Sequence, residues 1–96
     1  MIEVQESEID GKKFHCIRVD LPTSPLVAVF GKKGYIMCGY LNLETAERLG
    51  QAAVIMTGVK SFGDILDGNV SAMTNQAKKL GVKEGISGRE AIKMIC

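Results

Sequence analysis

The chain has a single histidine, His15, and only three cysteines, Cys16, Cys38 and Cys96, at wide spacings. No C-x-x-C and no histidine pair is present, so a protein-only zinc site would need carboxylates to complete it; no metal and no cofactor is expected. Charge of one sign is equally scarce. Twelve Lys and Arg against eleven Asp and Glu leave a formal net charge of +1, which supplies no basic face for nucleic acid and reads as solvated surface. No apolar run approaches the roughly 20 residues that a membrane helix needs, and the N-terminus carries no signal-peptide pattern. A cytoplasmic protein without membrane contact is expected. In a reducing compartment its thiols should be free, with Cys16 and Cys38 packed as small apolar side chains.

What the chain does have is apolar substance. The apolar share is 46% over 96 residues, enough for one folded domain spanning 1–96 with a small core. Its organising stretch is Leu26 to Leu49, LVAVFGKKGYIMCGYLNLETAERL. Leu26–Phe30 and Tyr35–Leu41 are apolar on both faces, as suits strands covered on both sides, or covered on one side with a partner chain on the other. Between them Gly31-Lys32-Lys33-Gly34 reads as a turn, its glycines able to take positive φ and its lysines keeping the tip in water. Asn42 fits a helix N-cap, Glu44 suits the positive end of that helix, and Gly50 can close it. Ala52–Thr57 reads as the next strand, giving a strand–helix–strand crossover with parallel strands.

On the N-terminal side, Ile2–Ile9 alternates as a half-exposed strand. Asp10-Gly11 is a strong hairpin signal, and Lys12–Leu21 follows as a second strand with Phe14, Cys16 and Arg18 on one face and His15, Ile17 and Val19 on the other. Pro22-Thr23-Ser24-Pro25 holds both prolines of the chain and marks a loop. Beyond Gly58 the period becomes helical. Ser61 and Asp64 cap a short helix through Leu66. Val70, Met73, Ala77 and Leu80 share one helical face, closed by Gly81 and Val82. Ser87-Gly88-Arg89-Glu90 forms a capping box for a last helix. The expected class is α+β: a mixed, mostly antiparallel sheet of about five strands with helices packed mainly on one face.

Three places could carry chemistry. Cys38, beside Gly39, is a candidate nucleophile, with His15 as a base contributed by another strand. The extended chain from Cys38 to the cap at Asn42 would span about 13 Å, too far for the helix end to stabilise a thiolate. Gly39 and Asn42 are candidate ligand contacts beside that thiol, and Ser87, Gly88 and Arg89 at the start of the last helix are candidate anion contacts. Gly31-Lys32-Lys33-Gly34 has the G-x-x-G form of a nucleic-acid backbone clamp, but it sits between strands instead of helices.

The segments Ser24-Pro25-Leu26-Val27, Gly34-Tyr35-Ile36-Met37-Cys38-Gly39-Tyr40-Leu41-Asn42, Leu80-Gly81-Val82 and Gly85-Ile86-Ser87-Gly88-Arg89-Glu90-Ala91 together resemble the YunC-like family, small archaeal and bacterial proteins grouped as a domain of unknown function. The resemblance covers most of the chain. It implies a compact α+β domain, and it brings no activity, cofactor or site residue with it. The residues themselves leave three readings: a small-ligand-binding or interaction module acting as a homodimer or higher homo-oligomer, a small enzyme using Cys38 as nucleophile, and nucleic-acid binding through the Lys32-Lys33 turn.

Overall fold

The computed structural model describes all of Met1–Cys96. It is an α+β domain with a six-stranded sheet in the order β1-β2-β3-β4-β5-β6. The strands are β1 (Ile2–Ile9), β2 (Lys12–Val19), β3 (Leu26–Phe30), β4 (Tyr35–Met37), β5 (Ala53–Ile55) and β6 (Ala72–Met73); the helices are α1 (Leu43–Arg48), α2 (Phe62–Asp67), α3 (Asn75–Lys79) and α4 (Gly88–Ile95). Every neighbouring pair is antiparallel except β4 with β5, which is parallel with Ile36 opposite Val54.

The first hairpin forms as its sequence dictates: Asp10 and Gly11 take φ of 51° and 79°, the paired left-handed conformation of a type I′ turn. The second turn forms for a different reason. Neither Gly31 nor Gly34 has positive φ. The turn is closed by the Gly31 N–H donating to the Gly34 carbonyl at 2.9 Å. A Cβ on Gly31 would run into the Ile95 carbonyl, and one on Gly34 into that of Ala52. These glycines permit close backbone approach, so the expectation of positive φ there is corrected.

The register sets two faces. On one, Phe14, Cys16, Val27, Val29, Ile36 and Val54 are buried against Ile65 of α2, Ala77 of α3 and Ala91, Ile92 and Ile95 of α4. On the other, Ile17 opposes Val4 and Ala28, Val19 opposes Ile2 and Leu26, and His15 opposes Glu6 and Phe30. Helices therefore bury mainly one face.

Two elements depart from the sequence reading. Val70 to Leu80 is not one helix. Val70 lies in a loop, Ala72–Met73 adds a sixth strand on β5, and the helix begins only at Asn75. The cause is Thr74, whose hydroxyl caps α3 and also satisfies the β5 backbone, which fixes the helix start at that point. β4 also stops at Met37 instead of continuing to Leu41. The Leu41 N–H donates to the Cys38 carbonyl at 3.2 Å, so the chain from Cys38 to Asn42 is a turn, not about 13 Å of extended strand.

Candidate functional site

Strands β4 and β5 are the one parallel pair, and their carboxyl ends deliver Cys38-Gly39-Tyr40 and Gly58-Val59-Lys60 to the same edge of the sheet. In open α/β sheets this edge is where ligands bind, because the loops that leave parallel strands diverge there. Here they border an open cleft of about 260 Å³ lined by Cys38, Gly39, Tyr40, Gly58, Val59 and Lys60, with Ser24 and Pro25 from the β2–β3 loop also in its lining. That loop is tied on by the Tyr40 hydroxyl, which donates to the Ser24 carbonyl at 3.2 Å.

The cavity floor is partly apolar, from Pro25, Val59 and the Cys38 side chain. Cys38 is 4% exposed, and its thiol makes no hydrogen bond. Gly39 and Gly58 face open space, where even a Cβ would meet nothing within 4 Å, and Gly58 has φ of 77°. Lys60 is held by its backbone. Its N–H donates to Asp64 Oδ2 at 3.0 Å and its carbonyl accepts from Arg18 Nε at 3.2 Å. Arg18 is itself neutralised by Asp20 at 2.7 Å and Glu3 at 3.7 Å.

Of the residues singled out in the sequence, Cys38 and Gly39 line this cavity. Asn42 lies just beyond it as the N-cap of α1, accepting from the Thr45 N–H at 3.0 Å. His15 is elsewhere. It points to the sheet face opposite the core, pairs with Glu6 at 3.5 Å and is mostly exposed, so the structure does not bring it to Cys38.

Ser87, Gly88 and Arg89 do not line the cavity. Ser87 Oγ accepts from the Glu90 N–H at 3.2 Å, and the Gly88 N–H donates to the Gly68 carbonyl at 3.0 Å. A Cβ on Gly88 would overlap the Ile65 carbonyl. This segment is where α4 crosses α2 at backbone distance, and the Gly88 N–H is spent on that contact.

The Lys32-Lys33 turn docks under the other end of α4. The Lys33 N–H donates to the Ile95 carbonyl at 2.8 Å, and Lys12 Nζ reaches the Lys93 carbonyl at 3.0 Å. Cations at a helix C-terminus complement its partial negative charge. Burial raises the thiol pKa of Cys16, with a further contribution from Glu3, and burial likewise raises that of Cys96 despite Lys12 nearby. No group of three or more His, Cys, Asp or Glu side chains is placed to hold a metal ion. No helix is long and apolar enough to cross a membrane.

Sequence reasoning missed Tyr40, Gly58, Val59, Lys60 and the Ser24-Pro25 stretch. The usable signal was the parallel crossover itself, whose two outgoing loops were identifiable before the structure.

A model of a domain of unknown function, DUF1805, matches residues 37–95. The chain belongs to that family. The matched segment begins at the end of β4 and so takes in Cys38, Gly39, Tyr40 and Gly58 to Lys60, while Ser24 and Pro25 lie outside it. An uncharacterized protein, YunC of Bacillus subtilis, is 35% identical over 96% of this chain and 95% of its own length. A crystal structure of a protein of unknown function, TA1206 from Thermoplasma acidophilum, superposes with a TM-score of 0.96 at 38% identity, covering 100% of this chain and 94% of that one. The family relationship thus extends over the whole fold and assigns no activity to it.

Proposed function

We propose that this protein binds a small molecule in the cavity at the carboxyl ends of β4 and β5. The observation that supports this reading is the convergence of both parallel-strand loops on one open cleft, partly apolar, with a few polar groups at its edge. A larger groove of about 540 Å³ runs along β6, but its rim is Lys78, Lys83 and Glu84 and it coincides with no parallel-strand end. Titration with a set of small fragments, followed by amide NMR shifts, tests the assignment. Saturable shifts should cluster on Cys38, Gly39, Tyr40, Gly58 and Val59. Shifts confined to the β6 groove or scattered over the surface would remove the cavity from consideration.

A second reading makes Cys38 a nucleophile in the same cavity, because its thiol lines the wall and has no hydrogen-bond partner. Iodoacetamide at neutral pH separates the two. The binding reading expects Cys38 to react more slowly than free cysteine, since it is nearly buried; the nucleophile reading requires it to react faster.

The protein is also proposed to act as a homodimer, paired through β1. This strand is at the edge of the sheet and eight residues long, about 27 Å of free ladder. It carries no lysine or proline to block pairing. Its Glu3 and Glu6 are matched across the strand by Arg18 and His15. Ile2 and Val4 are exposed beside half-buried Ile17 and Val19. A two-fold axis at Gln5 would set Glu3 opposite Ser7, Val4 opposite Glu6 and Ile2 opposite Glu8, so that no two glutamates face each other. Sedimentation at about 100 μM should show a species heavier than the 10.4 kDa monomer, and Val4→Lys should return it to monomer. A single monomeric species for the parent chain would end this proposal. We further propose a cytoplasmic location, a reading supported by three cysteines that form no disulfide.

A further inference from the structure

Strand β1 carries three glutamates, Glu3, Glu6 and Glu8, and no basic residue of its own. Their compensation comes from β2. Arg18 lies 3.7 Å from Glu3, His15 Nε2 lies 3.5 Å from Glu6, and Lys13 stands opposite Glu8 in the register. Arginine and lysine keep their charge at neutral pH, whereas histidine changes its charge between roughly pH 5 and 8. Of the three glutamates, Glu6 therefore has the partner whose charge can be lost.

Glu6 is also the glutamate beside the two-fold axis proposed for the β1 pair. Alternate side chains of a strand share a face, and an axis at Gln5 keeps the even-numbered residues of both copies on the same face of the joined sheet. Glu6 then stands opposite the partner's Val4, and the two Glu6 side chains become diagonal neighbours, about 7–8 Å apart. Glu3 and Glu8 lie farther from their counterparts across the axis. The groups that face His15 are Glu6 and Glu8 of β1, Lys13 and Ile17 of its own strand and the uncharged Phe30 of β3. Glu8 and Lys13 are opposite each other and compensate, so Glu6 is the charge left for His15 to balance.

Resting on the β1 homodimer proposed above, we infer that the Glu6–His15 pair makes this self-association pH-dependent: the dimer tightens as His15 takes up a proton and loosens as it gives one up. The sign follows from the charges. With His15 neutral, two unbalanced Glu6 carboxylates approach across the axis and repel. With His15 protonated, each imidazolium balances its own Glu6 and also attracts the partner's. The two imidazoliums lie on β2, one strand farther from the axis, and repel each other more weakly. Association near neutral pH therefore takes up protons, and by linkage a lower pH favours the dimer for as long as the glutamates stay ionised.

Sedimentation equilibrium of the full chain at low salt, at about pH 6 and about pH 8, tests this. The dimer Kd should be about fivefold lower at the acid end. His15→Gln should erase the difference and leave the weaker affinity at both pH values. His15→Arg should hold the tighter affinity at both, and Glu6→Gln should dimerise at about pH 8 as tightly as the parent does at about pH 6. Both side chains are exposed, so all three variants should fold as the parent does. At about 1 M salt, where the screening length is about 3 Å, the parent's pH dependence should flatten. A parent dimer of equal affinity at both pH values, or a pH dependence that survives in His15→Gln, would overturn the switch and leave the β1 dimer standing. A parent that stays monomeric at both pH values at about 100 μM would end the β1 dimer, and the switch with it.

Discussion

Gly88→Ala should cost about 3 kcal/mol or more, the upper end of what forced overpacking produces. The reason is backbone against backbone. The Gly88 Cα faces the Ile65 carbonyl so closely that a methyl group would overlap it, with Met56 Cε 3.2 Å behind. Relief would require α4 to withdraw from α2. That withdrawal is opposed by the Gly88 N–H donating to the Gly68 carbonyl at 3.0 Å, the Gly85 N–H donating to the Val70 carbonyl at 2.9 Å and the bridge between Asn69 and Ser87. It would also pull Ile92 and Ile95, both fully buried, out of the core. Gly63→Ala supplies the contrast. Gly63 lies in α2 with only Ser61 Oγ nearby, at 3.8 Å, so there the methyl should stabilise by a few tenths to about 1 kcal/mol through helix propensity. Urea unfolding measures both at constant m. A Gly88→Ala protein within about 0.5 kcal/mol of the parent would show that the crossing can open, and that this segment has been assigned the wrong role.

The same residue shows where a sequence stops being informative. Ser87-x-x-Glu90 declares a helix start through local chemistry, and Ser87 does cap α4. Local rules also read Asp10-Gly11, Asn42, Ser61, Gly50 and Gly81, because each acts within a few residues of itself. Gly31, Gly34 and Gly88 act on carbonyls 64, 18 and 23 positions away, at Ile95, Ala52 and Ile65. Nothing in their neighbours announces those distances, so they read as turn flexibility or an anion loop when they are in fact sites of close approach. The candidate site follows the same logic. Cys38 and Gly39 stood out as an unusual local pair, but Lys60, Val59 and Pro25 join them only through the β4–β5 pairing and the β2–β3 loop. His15 is a candidate base for Cys38 contributed by another strand. Strand alternation puts it beside Phe14 and Cys16 and therefore on the opposite face of the sheet.

Thr74→Val should be the other damaging substitution, at about 3 kcal/mol, although it preserves shape and branching. Thr74 is fully buried, and it is the one polar residue among those so buried. Its hydroxyl donates to the Gln51 carbonyl at 2.7 Å, and accepts from the Ala53 N–H at 3.0 Å and the Ala77 N–H at 3.3 Å. One oxygen thus caps α3 and completes the ladder at the start of β5, where the Thr74 N–H also donates to the Ala53 carbonyl at 2.9 Å. A valine would leave three backbone groups without their partner, the Ala53 and Ala77 N–H groups in buried positions and the Gln51 carbonyl in a part-buried one. Each such group costs about 1–3 kcal/mol, and partial relaxation keeps the sum below the simple total. Loss of an N-cap alone accounts for roughly 1 kcal/mol of it. Thr74→Ser separates the hydroxyl from the methyl: it retains all three hydrogen bonds and gives up one buried methyl, about 1 kcal/mol. Against a total stability of about 5–15 kcal/mol for a domain of this kind, the valine variant should melt more than about 10 °C below the parent, with the serine variant between them. If serine and valine destabilise equally, the hydroxyl contributes nothing net, and the start of α3 and the addition of β6 must be fixed by apolar packing of Ala77 and Met73.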